Sequence, residues 1–181
     1  MKYLSKEIMK SRKILIVDGY NIINAWDSLK ELAQTDLNHS RDKLIDIIIE
    51  FASFTGRKAI IVFDAYNIKN SIETKEKRKN VVVVYTKEHQ TADSYIESYV
   101  DKLSKYDDVK VATNDYAEQQ IVLGKGATRI SSRELNIEIE NIKQRIKESN
   151  NNGQKKIQRH RLEDRLNSEV LSKLEKIRRS D

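Results

Sequence analysis

Lys13-Ile14-Leu15-Ile16-Val17-Asp18 is the stretch whose reading decides the fold. It is apolar throughout, rich in β-branched side chains, and it ends on an acid followed by Gly19. A strand with one wet face alternates polar and apolar residues, whereas a strand of a parallel sheet is covered on both faces and reads as a continuous apolar run. Two further runs have the same character, Ala59-Ile60-Ile61-Val62-Phe63-Asp64 and Val81-Val82-Val83-Val84-Tyr85. Val109-Lys110-Val111-Ala112-Thr113 is a fourth strand candidate, and Thr128-Arg129-Ile130 is a weaker fifth.

Helical patterns separate these runs. Residues 40–55 place Leu44, Ile47, Ile48, Phe51 and Ala52 on one face, and Gly56 is a natural stop. Residues 92–104 do the same with Tyr95, Ile96, Tyr99, Val100 and Leu103, and residues 115–123 form a short helix ending near Gly124. Alternating strands and helices predict an α/β three-layer sandwich around a central, mostly parallel sheet. After residue 132, Leu135, Ile139, Ile142 and Ile146 fall at helical spacing, although Ile137-Glu138-Ile139 also fits a strand. Asn150-Asn151-Asn152-Gly153 reads as a turn or hinge. A last helix follows it, with Leu162, Leu166, Val170, Leu174 and Ile177 as its stripe. The expected organisation is one domain over residues 12–135 and a basic helical extension over residues 136–181.

Composition removes several chemistries. The 181 residues contain no Cys, which excludes disulfide frameworks, thiolate metal sites and Cys nucleophiles. The three His residues stand in unrelated contexts, so a His-rich metal site is not expected. The five Gly residues form neither a phosphate loop nor a dinucleotide fingerprint. No Gly-x-Ser-x-Gly elbow occurs. No apolar run is long enough to span a bilayer, and no signal-peptide pattern follows Met1, so a cytoplasmic protein without a membrane partner is the expectation. The formal charge is +6, and residues 133–181 hold 13 Lys and Arg against 9 Asp and Glu. That basic excess suits a polyanionic partner, or equally a solvated helix surface.

Acids recur where the strands end. Asp18 closes the first and Asp64 the second. Asp93 follows the third through Thr91-Ala92, and Asp115 follows the fourth in Thr113-Asn114-Asp115. Strands of a parallel sheet bring their carboxyl ends to one edge, where open α/β sheets bind ligands. Individually, Asp115 can be a helix N-cap and Asp93 a first-turn acid favoured by the helix dipole. Capping explains Asp18 and Asp64 less well. Two like charges about 4 Å apart repel by roughly 4 kcal/mol at an effective dielectric near 20, so a shared acidic cleft calls for a cation. An all-oxygen ligand set suits Mg²⁺ or Mn²⁺. Such an ion activates water and stabilises charge on a phosphoryl oxygen, which makes phosphodiester hydrolysis the natural reaction class. Glu97, one turn after Asp93, could reach the same cleft.

Specific strings carry a resemblance. Asp18-Gly19-Tyr20-Asn21 after an apolar strand resembles the opening signature of NYN domains, a branch of the PIN-like nucleases. Phe63-Asp64-Ala65-Tyr66, Thr91-Ala92-Asp93-Ser94-Tyr95-Ile96-Glu97 and Thr113-Asn114-Asp115 with Glu118-Gln119 match the later motifs in order. Gly126-Ala127-Thr128-Arg129-Ile130-Ser131-Ser132-Arg133-Glu134-Leu135 resembles the end of the YacP-type subgroup. The resemblance implies a PIN-like fold and a metal-dependent endoribonuclease that cuts mRNA in association with the ribosome. Asp18, Asp64, Asp93 and Asp115 take the family's acidic positions as catalytic, metal-binding residues, and Asn21 helps arrange the site or caps the next helix. Asn114 stands where the pattern has Ser. Candidate contacts to RNA are Lys69, Lys75, Lys77, Arg78, Arg129 and Arg133 for the phosphates, with Tyr20 and Tyr66 for stacking on bases. Surface charge and core-edge packing are the plainer roles of the same residues. Two other functions share this frame: a non-catalytic RNA or ribosome adaptor, and a metal-dependent phosphatase for small molecules.

Overall fold

The structure is a computed structural model and describes residues 11–64, 72–103 and 105–163, with side chains described as far as residue 148. Six strands form one sheet: β1 (Lys13–Asp18), β2 (Lys58–Phe63), β3 (Thr74–Arg78), β4 (Val81–Tyr85), β5 (Asp108–Ala112) and β6 (Thr128–Ile130). Their order across the sheet is β3-β4-β2-β1-β5-β6. All neighbours are parallel except β3 and β4, which form an antiparallel hairpin. The five expected strands are present, and the sheet is central and mostly parallel as expected. The addition is β3. Its sequence, Thr74-Lys75-Glu76-Lys77-Arg78, has no apolar signal, because it is an edge strand almost wholly exposed, and charge on such an edge blocks pairing with other chains.

The helices are α1 (Gly19–Ala25), α2 (Asp27–Thr35), α3 (Leu37–Thr55), α4 (Ala92–Val100), α5 (Tyr116–Gly124) and α6 (Ser132–Glu163). α1 and α3 pack on one side with β2, while α4 contacts β1 and β2, and α5 contacts β6 and α4. Side chains alternate between the faces of a strand. Ile14, Ile16, Ile60, Val62, Val109 and Val111 therefore share a buried cluster with Tyr95, Ile96 and Val122 from α4 and α5. The alternate residues Leu15, Val17, Ile61 and Phe63 are equally buried, as are Leu44, Ile48 and Phe51 of α3. Gly56 ends α3 in the left-handed conformation at φ 67°, the stop the sequence predicts.

Asn150-Asn151-Asn152-Gly153 is not a turn. α6 continues through it to Glu163, and Ile137-Glu138-Ile139 is helical too. Asn and Gly weaken a helix without forbidding it, so turn composition alone did not decide this segment. The stripe residues Leu166, Val170, Leu174 and Ile177 lie outside the described residues. The chain divides into two compact units, Met1–Ile139 and Glu140–Asp181, so the expected boundary between residues 135 and 136 falls within α6.

Candidate metal centre and nucleic-acid interface

Each acid is delivered by a strand end and the helix that follows it. Asp18 ends β1 and is the N-cap of α1, accepting a hydrogen bond from the Asn21 N–H at 3.0 Å. The turn is tight. A Cβ on Gly19 would collide with the Phe63 ring, so no larger residue fits between β1 and β2 there. Thr91 caps α4 through its hydroxyl, which leaves Asp93 in the first turn with its carboxylate uncommitted to the cap. Asp115 caps α5, its Oδ1 accepting from the N–H groups of Ala117 at 2.7 Å and Glu118 at 3.2 Å.

The three carboxylates of Asp18, Asp93 and Glu118 each place an oxygen within 4.8 Å of the others. Asp18 and Glu118 are buried, at 8% and 3% exposure, and Asp93 is exposed. Neither carboxylate oxygen of Glu118 meets a donor at hydrogen-bonding geometry. Burial pushes the Glu118 pKa up to about 8. The Thr113 hydroxyl pulls the other way, and the charges of Asp93, Asp18 and Asp115 add to the rise. Burial likewise raises Asp18 to about 6, against the Asn21 N–H and with the charges of Asp93 and Asp64. Asp93 is raised by burial, then by Asp115 and Asp64. Asp64 is raised by burial, and the Ala92 N–H and the Thr86 hydroxyl oppose the rise.

These observations fit a hard divalent ion. Buried carboxylate oxygens without donors are costly. A cation among them would satisfy the Glu118 oxygens and offset the mutual repulsion.

Known proteins resemble this chain along most of its length. The model of the YacP-like NYN domain matches residues 15–179. The chain belongs to the YacP-like NYN family. It is 42% identical over 171 residues to the uncharacterized protein YacP of Bacillus subtilis (strain 168), covering 93% of this chain and 98% of that protein. The crystal structure of Rae1 (YacP) from Bacillus subtilis superposes with a TM-score of 0.68 at 40% identity, covering 92% of this chain and 94% of the other. The crystal structure of a mutant of that Bacillus subtilis protein gives 0.64 at 43% identity, covering 75% of this chain and 79% of the other. The α/β sandwich is thus shared with solved members of the family, whose membership is consistent with an RNase-type fold.

Within this NYN site the expected acids divide. Asp18 and Asp93 belong to the trio. Asp64 and Asp115 lie outside it, close enough for their charges to act on it. Asp64 is within 3.4 Å of the Thr86 hydroxyl, and Asp115 is occupied in capping. Glu97 does not reach the cleft, because it pairs with Lys125 at 3.3 Å. Glu118 is the acid that strand-end reasoning passed over. Its signal was its place three residues after a helix cap, a spacing that ordinarily marks a capping box.

Asn21 does not cap a helix. Its Oδ1 accepts from the Asn114 N–H at 2.8 Å, clasping the end of β1 to the end of β5. Asn114 in turn donates to Ser132 Oγ at 2.7 Å and accepts from the Ser132 N–H at 2.9 Å. The departure from Ser at position 114 therefore has a use, since an amide reaches the start of α6 with both a donor and an acceptor.

The expected RNA-contacting residues are dispersed. Lys75, Lys77 and Arg78 are on β3, where Lys75 pairs with Glu73 at 2.7 Å and Arg78 with Glu76 and Asp42. Arg129 on β6 and Arg133 on α6 are exposed. Tyr20 packs edge-on against Phe63 at 5.2 Å and receives a hydrogen bond from Arg41. Tyr66 and Lys69 lie outside the described residues. Among the described residues no helix is long and apolar enough to cross a membrane.

Proposed function

We propose that this protein is a metal-dependent endoribonuclease that hydrolyses RNA phosphodiester bonds and cuts mRNA in association with the ribosome, in the cytoplasm. The observation that carries the reading is the trio of Asp18, Asp93 and Glu118, with both Glu118 oxygens buried and unpartnered. Family membership and the basic balance of the chain support RNA as the polyanion. Asp18, Asp93 and Glu118 would hold Mg²⁺ or Mn²⁺, with Asp64 and Asp115 lending charge from the flanks. A divalent ion bound there supplies a lowered water pKa and stabilises charge on a phosphoryl oxygen. Asn21 fixes the Asp18 turn against β5, so the acids are held in place before the substrate arrives. Lys75, Lys77, Arg78, Arg129 and Arg133 would hold the phosphate backbone and make binding sensitive to salt.

The test is cleavage of ribosome-bound and free mRNA by wild type and by Asp18→Asn, with Mg²⁺, Mn²⁺ or a chelator. The expected result is products with 5′-phosphate and 3′-hydroxyl ends, made by the wild type only and abolished by the chelator. Equal cleavage by both proteins would remove Asp18 from the mechanism. Tight RNA or ribosome binding without cleavage in either ion would make the protein an adaptor.

A further inference from the structure

Arg41 on α3 is half-buried, yet among the described residues no carboxylate pairs with it. Its Nη1 donates to Asn38 Oδ1 at 2.9 Å and its Nη2 to the Tyr20 hydroxyl. Its Nε is buried and has no hydrogen-bond partner. The guanidinium carbon stands 5.2 Å from the ring centroid of Tyr20, 5.8 Å from Phe63 and 5.9 Å from Tyr85. Phe63 and Tyr85 are stacked with centroids 5.5 Å apart. The cation therefore stands within cation–π distance of three aromatic rings.

The three rings have a definite address. Phe63 ends β2, Tyr85 ends β4, and Tyr20 follows Asp18 by two residues. All three belong to the sheet edge that carries the acids, on the β2–β4 side of Asp18. The other paired arginines have carboxylates: Arg12 has Asp107, Arg57 has Asp108, and Arg78 has Asp42 and Glu76. A guanidinium has five N–H donors. Those of Arg41 are only partly used, and its charge is only partly offset by the rings.

We propose that Arg41 binds a backbone phosphate of RNA, one other than the scissile phosphate, and so fixes the path of the strand on the β2–β4 side of the acid cleft. A planar fork with spare donors suits the paired oxygens of a phosphodiester. Tyr20 and Asn38 are its positioning residues, orienting the fork from opposite ends of the guanidinium. The assignment rests on the ribonuclease reading for the identity of the ligand.

The test uses the full chain and a single-stranded RNA oligonucleotide. Affinity is measured by fluorescence anisotropy in chelator across a salt series, and cleavage kinetics are measured in Mg²⁺, for wild type, Arg41→Gln, Arg41→Lys and Asp18→Asn. Loss of one phosphate contact lowers the slope of log affinity against log salt by about 0.7 for a single strand. Arg41→Gln is expected to show that smaller slope, an affinity about tenfold weaker and a raised KM, with kcat at saturating RNA within about twofold of wild type. Arg41→Lys restores the slope but only part of the affinity, because the fork is gone. A purely structural role for Arg41 would leave the slope unchanged. Wild-type slope and KM in Arg41→Gln, with the wild type binding and cleaving, overturn this assignment and leave the nuclease standing. A reduced slope without wild-type cleavage in any divalent ion keeps the assignment and removes the nuclease. Absence of RNA binding by the wild type overturns both. Should Arg41→Gln not fold, Arg41→Lys decides: weaker binding at an unchanged slope with a wild-type melting temperature supports the contact, and unchanged affinity and KM, or a loss of affinity matched by a lower melting temperature, defeat it.

Discussion

Two helix starts share one local pattern and treat it differently. Asp115-Tyr116-Ala117-Glu118 and Ser131-Ser132-Arg133-Glu134 both have a capping residue followed three positions later by Glu. At the second, the box is closed. Glu134 Oε2 accepts from the Ser131 N–H at 2.8 Å and from its hydroxyl at 2.7 Å, and these bonds hold the carboxyl below its usual range. At the first, the Thr113 hydroxyl takes the Asp115 N–H at 3.0 Å, so Glu118 has no backbone donor to fold back to. Glu118 is instead buried beside Asp18 and Asp93, its oxygens without a hydrogen-bond partner. One side chain satisfies local structure, and the other is withheld from it. A buried acid kept away from its ordinary partner is a mark of a site, because the fold bears a cost that only a ligand offsets.

The largest expected contrast is in catalysis. Glu118→Gln removes charge from the trio without changing its shape, and it should lower kcat for RNA cleavage by about 10³-fold or more. Glu134→Gln, at the closed box, should leave kcat unchanged. Parallel single-turnover assays at saturating Mg²⁺ read both, and equal activities would place the chemistry elsewhere than the trio.

The second contrast is a difference in sign with pH. The Glu118 pKa is raised by burial, next to Asp93, Asp18 and Asp115 and under the Thr113 hydroxyl. The unfolded chain ionises Glu near 4.3. Stability from the protonated folded form is complete below that value and is lost as pH rises through about 8. Asp18 acts the same way with a folded value of about 6. The metal-free protein should therefore be more stable at pH 5.5 than at pH 8.5, by on the order of a few kcal/mol, and should melt at a higher temperature there. Divalent ion should narrow that gap from the alkaline side. Calorimetry of wild type and Glu118→Gln with chelator tests it, and an equal pH slope in the two proteins would dissociate the buried acid from the effect. Glu134, whose pKa is lowered, works oppositely: its contribution is present at neutral pH and fades as pH falls through the usual range of a glutamate.

Much of the sheet was legible because burial on both faces leaves a residue-by-residue trace. Ile14 to Val17 and Ile60 to Phe63 read as strands because each of these residues is in the core. β3 left no such trace, since all its information lies in pairing with β4 and none in burial. α1 and α2 leave little trace either: in this region the buried apolar positions, Ile22, Ile23 and Leu29, are too few to declare a period. For the site, topology made Asp18 and Asp93 legible, since strand ends must meet. Glu118 stands out only as part of a family-like string and with no role, because its sequence looks like an ordinary cap, and only the competing hydroxyl of Thr113 shows that the cap is open. Hydroxyl orientation depends on β5 and β6 being side by side, where the Thr113 N–H is bound by the Ile130 carbonyl, and that is a fact of three dimensions.

Thr113 offers a direct way to sharpen the comparison. Thr113→Val keeps the shape and deletes the hydroxyl, which leaves the Asp115 N–H free to bond Glu118. If Glu118 then closes the box as Glu134 does, affinity for Mn²⁺ should fall by about 10–100-fold, the usual cost of losing an outer-shell partner. Equilibrium dialysis or titration calorimetry with Mn²⁺ measures this. Unchanged affinity would show that something other than the missing donor holds Glu118 in the cleft.

The smallest effect belongs to the closed box itself. Glu134 is exposed and its bonds to Ser131 compete with water, so Glu134→Ala should cost only about 0.5–1 kcal/mol, as for an ordinary cap. Leu135, next along α6, is fully buried, so the start of α6 is anchored apart from the cap and the loss should not spread. Denaturant unfolding at pH 7 should show a lower midpoint at an unchanged slope. The difference between Glu134→Ala and wild type should shrink as pH falls through the lowered Glu134 pKa, because a protonated carboxyl accepts poorly. A deficit that instead persists or grows in acid would mean that the side chain acts through packing, and that the two helix starts differ in more than where one carboxylate is allowed to go.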